Sequence, residues 1–292
     1  MLFQDLLRLH DIPEAEVALC LHKPADPVSR RAIAILAEDR PDLFEAYQAS
    51  HANLQEATVR ARRYFASFLA AVDGDMVFLG LYRREVGPVL SRQDWLADPL
   101  RREMLERVEG HRYTPGEMAD RLAGRTLFLL DRLDLFGDLE KRLICRDPGG
   151  RNYMRRAETT PLQVIELRRH GRVSPPIPDW RELSLTRDDL LALPRDWAAA
   201  LRNWRGIYLI VDQSDGARYV GSAYGAANLL GRWQQHIAGE TGVSARLAPR
   251  NTRNFRFSIL ERVSPDMEAE AVIALEMTWM DRLQTRVYGL NT

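Results

Sequence analysis

Two tyrosines, an arginine, a histidine and a glutamate in the last third of this chain supply the groups that phosphodiester hydrolysis needs. Tyr208 stands in Arg205-Gly206-Ile207-Tyr208-Leu209-Ile210, and Tyr219 in Tyr219-Val220-Gly221. Between them, Asp212-Gln213-Ser214-Asp215-Gly216 is a turn-forming cluster, so the two apolar runs read as a β-hairpin. Each strand then holds one tyrosine next to a glycine, which lets another group approach the backbone closely. Arg232 and His236 are four apart and share one face of a helix that starts near Ala226. Glu276 sits at the edge of the apolar stripe Val272, Leu275, Trp279 and Leu283 of a helix from Met267 to Leu283.

Hydrolysis of a phosphodiester needs an activated water, a cation on the phosphate and stabilisation of the departing oxygen. Arg232 can clamp a nonbridging oxygen with its planar fork. Glu276 is the carboxylate placed to hold a divalent metal. One carboxylate completed by substrate oxygens and waters suits Mg²⁺, with Mn²⁺ as a substitute. Tyr208 is the candidate general base; a free tyrosine has a pKa near ~10, so it needs help from nearby positive charge. Tyr219 and His236 would orient it or relay its proton.

The order of these residues resembles the GIY-YIG nuclease family. The resemblance covers roughly 195–292. It implies a small three-stranded antiparallel sheet flanked by helices, with Tyr208, Tyr219, Arg232, His236 and Glu276 in the active site. Some branches add a terminal asparagine, for which Asn291 in Tyr288-Gly289-Leu290-Asn291 is the candidate. Gly221-Ser222-Ala223 and Gly231-Arg232-Trp233 are similar to one bacterial branch. Val220 departs from the usual isoleucine, and the 238–254 loop carries no family signature.

A DNA substrate is the expectation, although the chain's charges balance to +0. Binding needs only a local patch. Arg246, Arg250, Arg253 and Arg256 form one, with no acidic residue from Thr241 to Leu260. These arginines are candidates for phosphate contacts along a nucleic-acid groove. Trp204 and Trp233 either stack on bases or pack in the core.

Length and composition place these groups in an ordinary globular protein of 292 residues, 46% hydrophobic and 28% charged, large enough for two domains. Cys20 and Cys145 stand far apart in apolar contexts, which excludes a cysteine-rich metal cluster and favours buried free thiols. The N-terminal segment lacks a signal-peptide pattern, and no apolar run reaches membrane-spanning length. The expectation is a cytoplasmic protein with no membrane partner.

The seam is Ser174-Pro175-Pro176-Ile177-Pro178, whose prolines forbid helix and favour an extended connector. It divides the chain into 1–180 and 181–292. Thr186, followed by Asp188 and Asp189, starts the helical lead-in to the second part. The first part is expected to be α+β. Its helices cover roughly 29–50, 98–108 and 115–122. One hairpin joins the runs 64–69 and 76–82 through Asp73-Gly74-Asp75, and a second joins 126–133 to 141–145 around Gly137-Asp138. A small nuclease domain makes few contacts, so residues 1–180 are the candidate target reader. The overall expectation is a metal-dependent DNA endonuclease of restriction or phage defence. An inactive nucleic-acid-binding module, or a nuclease of the repair or homing type, is the alternative. A homodimer would let one site per chain cut both strands.

Overall fold

The computed structural model describes residues 1–71, 74–110, 112–239 and 245–292. Asp73 of the expected Asp-Gly turn lies outside them, as do residues 240–244 of the 238–254 loop. The chain divides into two compact units, Met1–Pro175 and Pro176–Thr292, each of mixed α+β structure. Among the described residues, no helix is long and apolar enough to cross a membrane.

The first unit runs α1 (Phe3–Leu9), β1 (Val17–His22), α2 (Pro27–Asp39), α3 (Pro41–Gln48), α4 (Asn53–Arg60), β2 (Tyr64–Ala70) and β3 (Met76–Val89). It continues with α5 (Arg92–Ala97), α6 (Pro99–Glu109), α7 (Pro115–Leu122), β4 (Thr126–Leu133), β5 (Leu143–Cys145), β6 (Met154–Arg156) and β7 (Val164–Leu167). Its sheet has the order β6-β1-β2-β3-β5-β7, with β4 also paired to β3. β2 and β3 form the expected antiparallel pair.

Three features differ from the sequence reading. The helix expected over 29–50 is two helices, because Pro41 cannot continue the α2 ladder and Arg40 before it leaves helical geometry (φ −140°, ψ 66°). β4 and β5 do not pair with each other. Both pair with the long strand β3, β4 along 81–89 and β5 at Met76 and Val77. β1 was not anticipated and lies parallel to β2. Its six residues are all buried. Val17, Leu19 and Leu21 pack on one cluster, Ala18 and Cys20 on another. A strand covered on both faces shows no polar alternation and cannot be told from helix by period. Cys20 and Cys145 are buried free thiols.

The second unit runs β8 (Ser184–Thr186), α8 (Arg187–Leu191), α9 (Arg195–Asn203), β9 (Arg205–Asp212), β10 (Arg218–Ala223), α10 (Asn228–Ala238), β11 (Phe255–Val263), α11 (Ala269–Leu283) and α12 (Thr285–Tyr288). Three antiparallel strands, β10-β9-β11, form its centre. The short strand β8 adds a fourth at the far edge, with Leu185 opposite Phe257. Thr186 N-caps α8 in a reciprocal capping box with Asp189. One face of the sheet packs against α8, α9 and α10 around Tyr208, Trp233 and Phe257. The other face carries Ile207 and Val220 against Val272 of α11.

Candidate active site

The hairpin register dictates how the tyrosines meet. Tyr208 pairs with Gly221, and Tyr219 with Ile210, so both rings lie on the same face of the sheet as diagonal neighbours. Their centroids are 6.4 Å apart. Tyr208 lies across the neighbouring strand on Gly221. A Cβ at that glycine would stand 2.5 Å from Tyr208 Cζ and 2.9 Å from Tyr219 Cε1. Gly206 serves the other side of β9, where a side chain would strike the Glu261 carbonyl at the β11 bulge. The two glycines are therefore fixed by close approach, not by unusual backbone angles.

α10 delivers the partners. His236 is buried, and its Nε2 lies 2.6 Å from the Tyr208 hydroxyl. Trp233, one turn away on the same helix, supports the Tyr208 ring edge-on at 6.2 Å. Arg232 is half-buried, acts electrostatically on the Tyr208 and Tyr219 phenols, and donates from Nη1 to Gln235 Oε1 at 2.9 Å. Side chains alternate along β10, so Ser222 points to the α11 side with Val220. There its hydroxyl donates to Glu276 Oε2. The site thus wraps around the edge strand β10: phenols, guanidinium and imidazole on one face, hydroxyl and carboxylate on the other. Arg232 and Glu276 act on each other electrostatically across that edge.

Burial dominates the electrostatics. It pushes the Tyr208 phenol well above its ordinary value, with Tyr219 adding to the rise and Arg232 opposing it. The positive charge that the sequence reading sought for Tyr208 is present, but desolvation outweighs it. Tyr219 is raised as well, by burial and then by Glu276. Burial, followed by Arg232, pushes His236 down to about 4, so its ring is neutral near pH 7. Its buried Nδ1 has no hydrogen-bond partner among the described residues. For Arg232, desolvation works against the charge, but the two tyrosines and Glu276 outweigh it and the pKa rises. Burial raises the Glu276 carboxyl, and Ser222, Arg232 and Arg286 offset this only in part.

A raised, half-buried carboxylate is a group that a cation would stabilise. Among the described residues no group of three or more His, Cys, Asp or Glu could hold a metal ion. Glu276 is the carboxylate here that could hold a hard divalent cation.

The structure places the remaining candidates elsewhere. Asn291 is 3% exposed and clamps the β10 backbone: Oδ1 accepts from Val220 N–H at 2.9 Å, and Nδ2 donates to the Val220 carbonyl at 2.8 Å. It holds the strand between Tyr219 and Gly221. The four arginines read as one basic stretch have separate duties. Arg246 donates to the carbonyls of Arg286, Gly289 and Asn291 at 3.0–3.4 Å. Arg250 pairs with Asp212 (2.9 Å) and Asp215 (2.7 Å), stapling the turn of the tyrosine hairpin. Arg256 donates to Ser184 Oγ at 2.8 Å, across the β11–β8 pair. Arg253 is exposed. Sequence reading assigned no role to Ser222 or Arg286. For Ser222 a signal was present, since its position one residue past Gly221 fixes the face on which it emerges.

Residues 205–289 match the family model of the GIY-YIG catalytic domain. Among solved structures, the chain is similar to the catalytic domain of the intron endonuclease I-TevI in a mutant form. The identity is 27% and the TM-score 0.26, over 30% of this chain and 92% of that one. It is also similar to the catalytic domain of the homing endonuclease I-TevI, at 27% identity and a TM-score of 0.26, over 30% of this chain and 96% of that one. No curated protein matches the chain.

Proposed function

We propose that this chain, which carries a GIY-YIG endonuclease domain at residues 205–289, is a divalent-cation-dependent DNA endonuclease whose unit Met1–Pro175 selects the target. Restriction or phage defence is the setting that a reader joined to a cutter suits, and a two-fold dimer would allow both strands to be cut. The observation that carries the activity is the Tyr208–His236 contact, with Arg232 on one side of β10 and Glu276 on the other.

A phenol with a raised pKa does not rest as phenolate, so Tyr208 can take a proton from the attacking water only as it gives up its own. Neutral His236, 2.6 Å away at Nε2, is the group that receives it. Arg232 holds a nonbridging phosphate oxygen and offsets charge that builds in the transition state. Glu276, supported by the Ser222 hydroxyl, would hold Mg²⁺ or Mn²⁺, which supplies charge to the phosphate and the departing oxygen. Gly221 and Asn291 keep the tyrosines in register.

The test is nicking of plasmid, and cutting of unmodified and base-modified DNA, by the full chain with Mg²⁺, beside Glu276→Ala. Wild type should cut and Glu276→Ala should not, while the variant keeps its DNA affinity. Cleavage by the variant at the wild-type rate would remove Glu276 from the site.

A further inference from the structure

The unit Met1–Pro175 encloses a cavity of about 360 Å³ that no catalytic group lines. Its size falls among small-molecule sites, which run from roughly 300 to 1,000 Å³. Five of its lining residues carry aromatic rings: His22, Tyr47, His51, Trp95 and Tyr153. His51 is held in orientation by stacking on Phe65, with centroids 5.6 Å apart and planes at 28°, and it stands 6.0 Å from Tyr153.

Two of these rings carry unmet polar atoms. His51 is 3% exposed and Trp95 0% exposed, yet His51 Nε2 and Trp95 Nε1 have no hydrogen-bond partner among the described residues. Native interiors leave few such atoms, and two on one cavity call for an occupant. Burial pushes His51 down to about 3, so the ring is neutral. The neutral His51 ring can accept at Nε2, whereas Trp95 Nε1–H can only donate. The wall of the cavity thus holds one acceptor and one donor, both buried among its aromatic rings. Three further lining residues, Lys23, Arg125 and Arg151, are cations and one, Glu109, is a carboxylate; Lys23 pairs with Asp147. Arg125 is half-buried, and its guanidinium makes no hydrogen bond or ion pair among the described residues. A planar ligand that presents both a donor and an acceptor and carries an anion would satisfy all of these groups.

We infer that this cavity binds one nucleotide unit, with the base among Tyr47, His51, Trp95 and Tyr153 and the phosphate on Arg125. The inference rests on reading the chain as a DNA endonuclease, and it gives the first unit its means of inspecting DNA: a single base taken out of the stack. A free nucleotide has the same chemistry and is the other source.

The experiment titrates the full chain with the four deoxynucleoside monophosphates, using inorganic phosphate as reference. In parallel it titrates the chain with duplexes carrying 2-aminopurine or pyrrolocytosine at one position, whose emission rises when the base leaves the stack. Arg125→Gln should weaken binding about tenfold or more, as loss of a charged hydrogen bond does. His51→Phe keeps the ring but removes Nε2, and should weaken it too. Binding of monophosphates tighter than of phosphate, lost in both variants, assigns a free nucleotide. Binding confined to duplex, with the rise in emission lost in both variants, assigns an extruded base. No binding in either arm, or affinity unchanged in both variants, overturns the site. Glu276-dependent cleavage of the same duplexes is followed alongside. If it persists while the cavity results are negative, only the site falls; if it is absent while base binding holds, the nuclease reading falls instead.

Discussion

Gly221→Ala adds one methyl group at the point where the Tyr208 ring crosses β10. The backbone of Gly221 is not in the left-handed region, so alanine meets no penalty there from its own φ. The obstacle is space: the methyl carbon would lie 2.5 Å from Tyr208 Cζ and 2.9 Å from Tyr219 Cε1. Ordinary carbon contacts need roughly 3.5–4.0 Å, so the Tyr208 ring must move by about 1 Å. Tyr208 is 0% exposed and boxed in by Trp233 and His236, so it cannot swing into solvent. Overpacking of this kind costs roughly 1–3 kcal/mol. A 1 Å displacement also breaks the 2.6 Å contact with His236, and a misplacement of that size costs on the order of 10²-fold in rate. Gly225→Ala is the control, because nothing lies within 4 Å of its added carbon and its φ is not positive. Thermal unfolding and plasmid nicking of both variants beside wild type measure the two effects. Gly221→Ala with wild-type melting and rate would refute the argument that the second glycine exists to admit the Tyr208 ring.

Arg232→Ala should lower turnover by on the order of 10²–10³, as loss of one preorganised charge-stabilising donor does. Arg232→Lys should not restore it, because a point charge cannot serve two tyrosines and a phosphate together; single-turnover rates equal to wild type for the lysine variant would contradict this. The folded pKa of His236, about 4, lies below its ordinary 6.5, so the unfolded chain binds the extra proton. Its contribution is therefore present in full above about pH 6.5 and is lost as pH falls towards 4, on the order of 3 kcal/mol in all. Melting curves from pH 7 to 4 should fall less steeply for His236→Gln than for wild type, and parallel curves would show that His236 does not titrate as placed. Arg253→Gln should flatten the salt dependence of DNA binding by roughly 0.9 in log–log slope if Arg253 meets a phosphate. Arg250→Gln should instead lower the melting temperature by freeing Asp212 and Asp215, and the reverse pattern would exchange the duties assigned to the two arginines.

The candidate site was largely legible because its signals are local. A turn cluster set the hairpin, and the i,i+4 spacing set Arg232 beside His236. Thr186 and Asp189 announced a helix start in the same way. Long-range pairing was not legible. β4 and β5 look like neighbours in a hairpin, but both are drawn to β3, whose length gives each a place. β1 escaped because burial on both faces erases the alternation by which strands are recognised. In the arginine stretch the charge is visible in sequence but its partner is not: Asp212, far from Arg250 along the chain, lies 2.9 Å from it in the fold. Asn291 showed its presence near Tyr288-Gly289 but not its grip on Val220.

The place of β1 in its sheet also bears on synthesis. It needs β2 on one side and β6 on the other, and β6 comes near the end of the unit. Gln4 likewise donates to the carbonyls of Ala157 and Thr160, 153 and 156 residues away. At roughly 5–20 residues per second, a nascent chain would carry this largely apolar strand for on the order of 10 s before its second neighbour leaves the ribosome. During that time one edge of β1 is an open template for other chains. The hairpin of β9 and β10, by contrast, closes within a few residues of its turn. Expression of the whole chain should therefore respond to slower translation and to holdase chaperones through its first unit, while the tyrosine hairpin forms with little delay once it emerges.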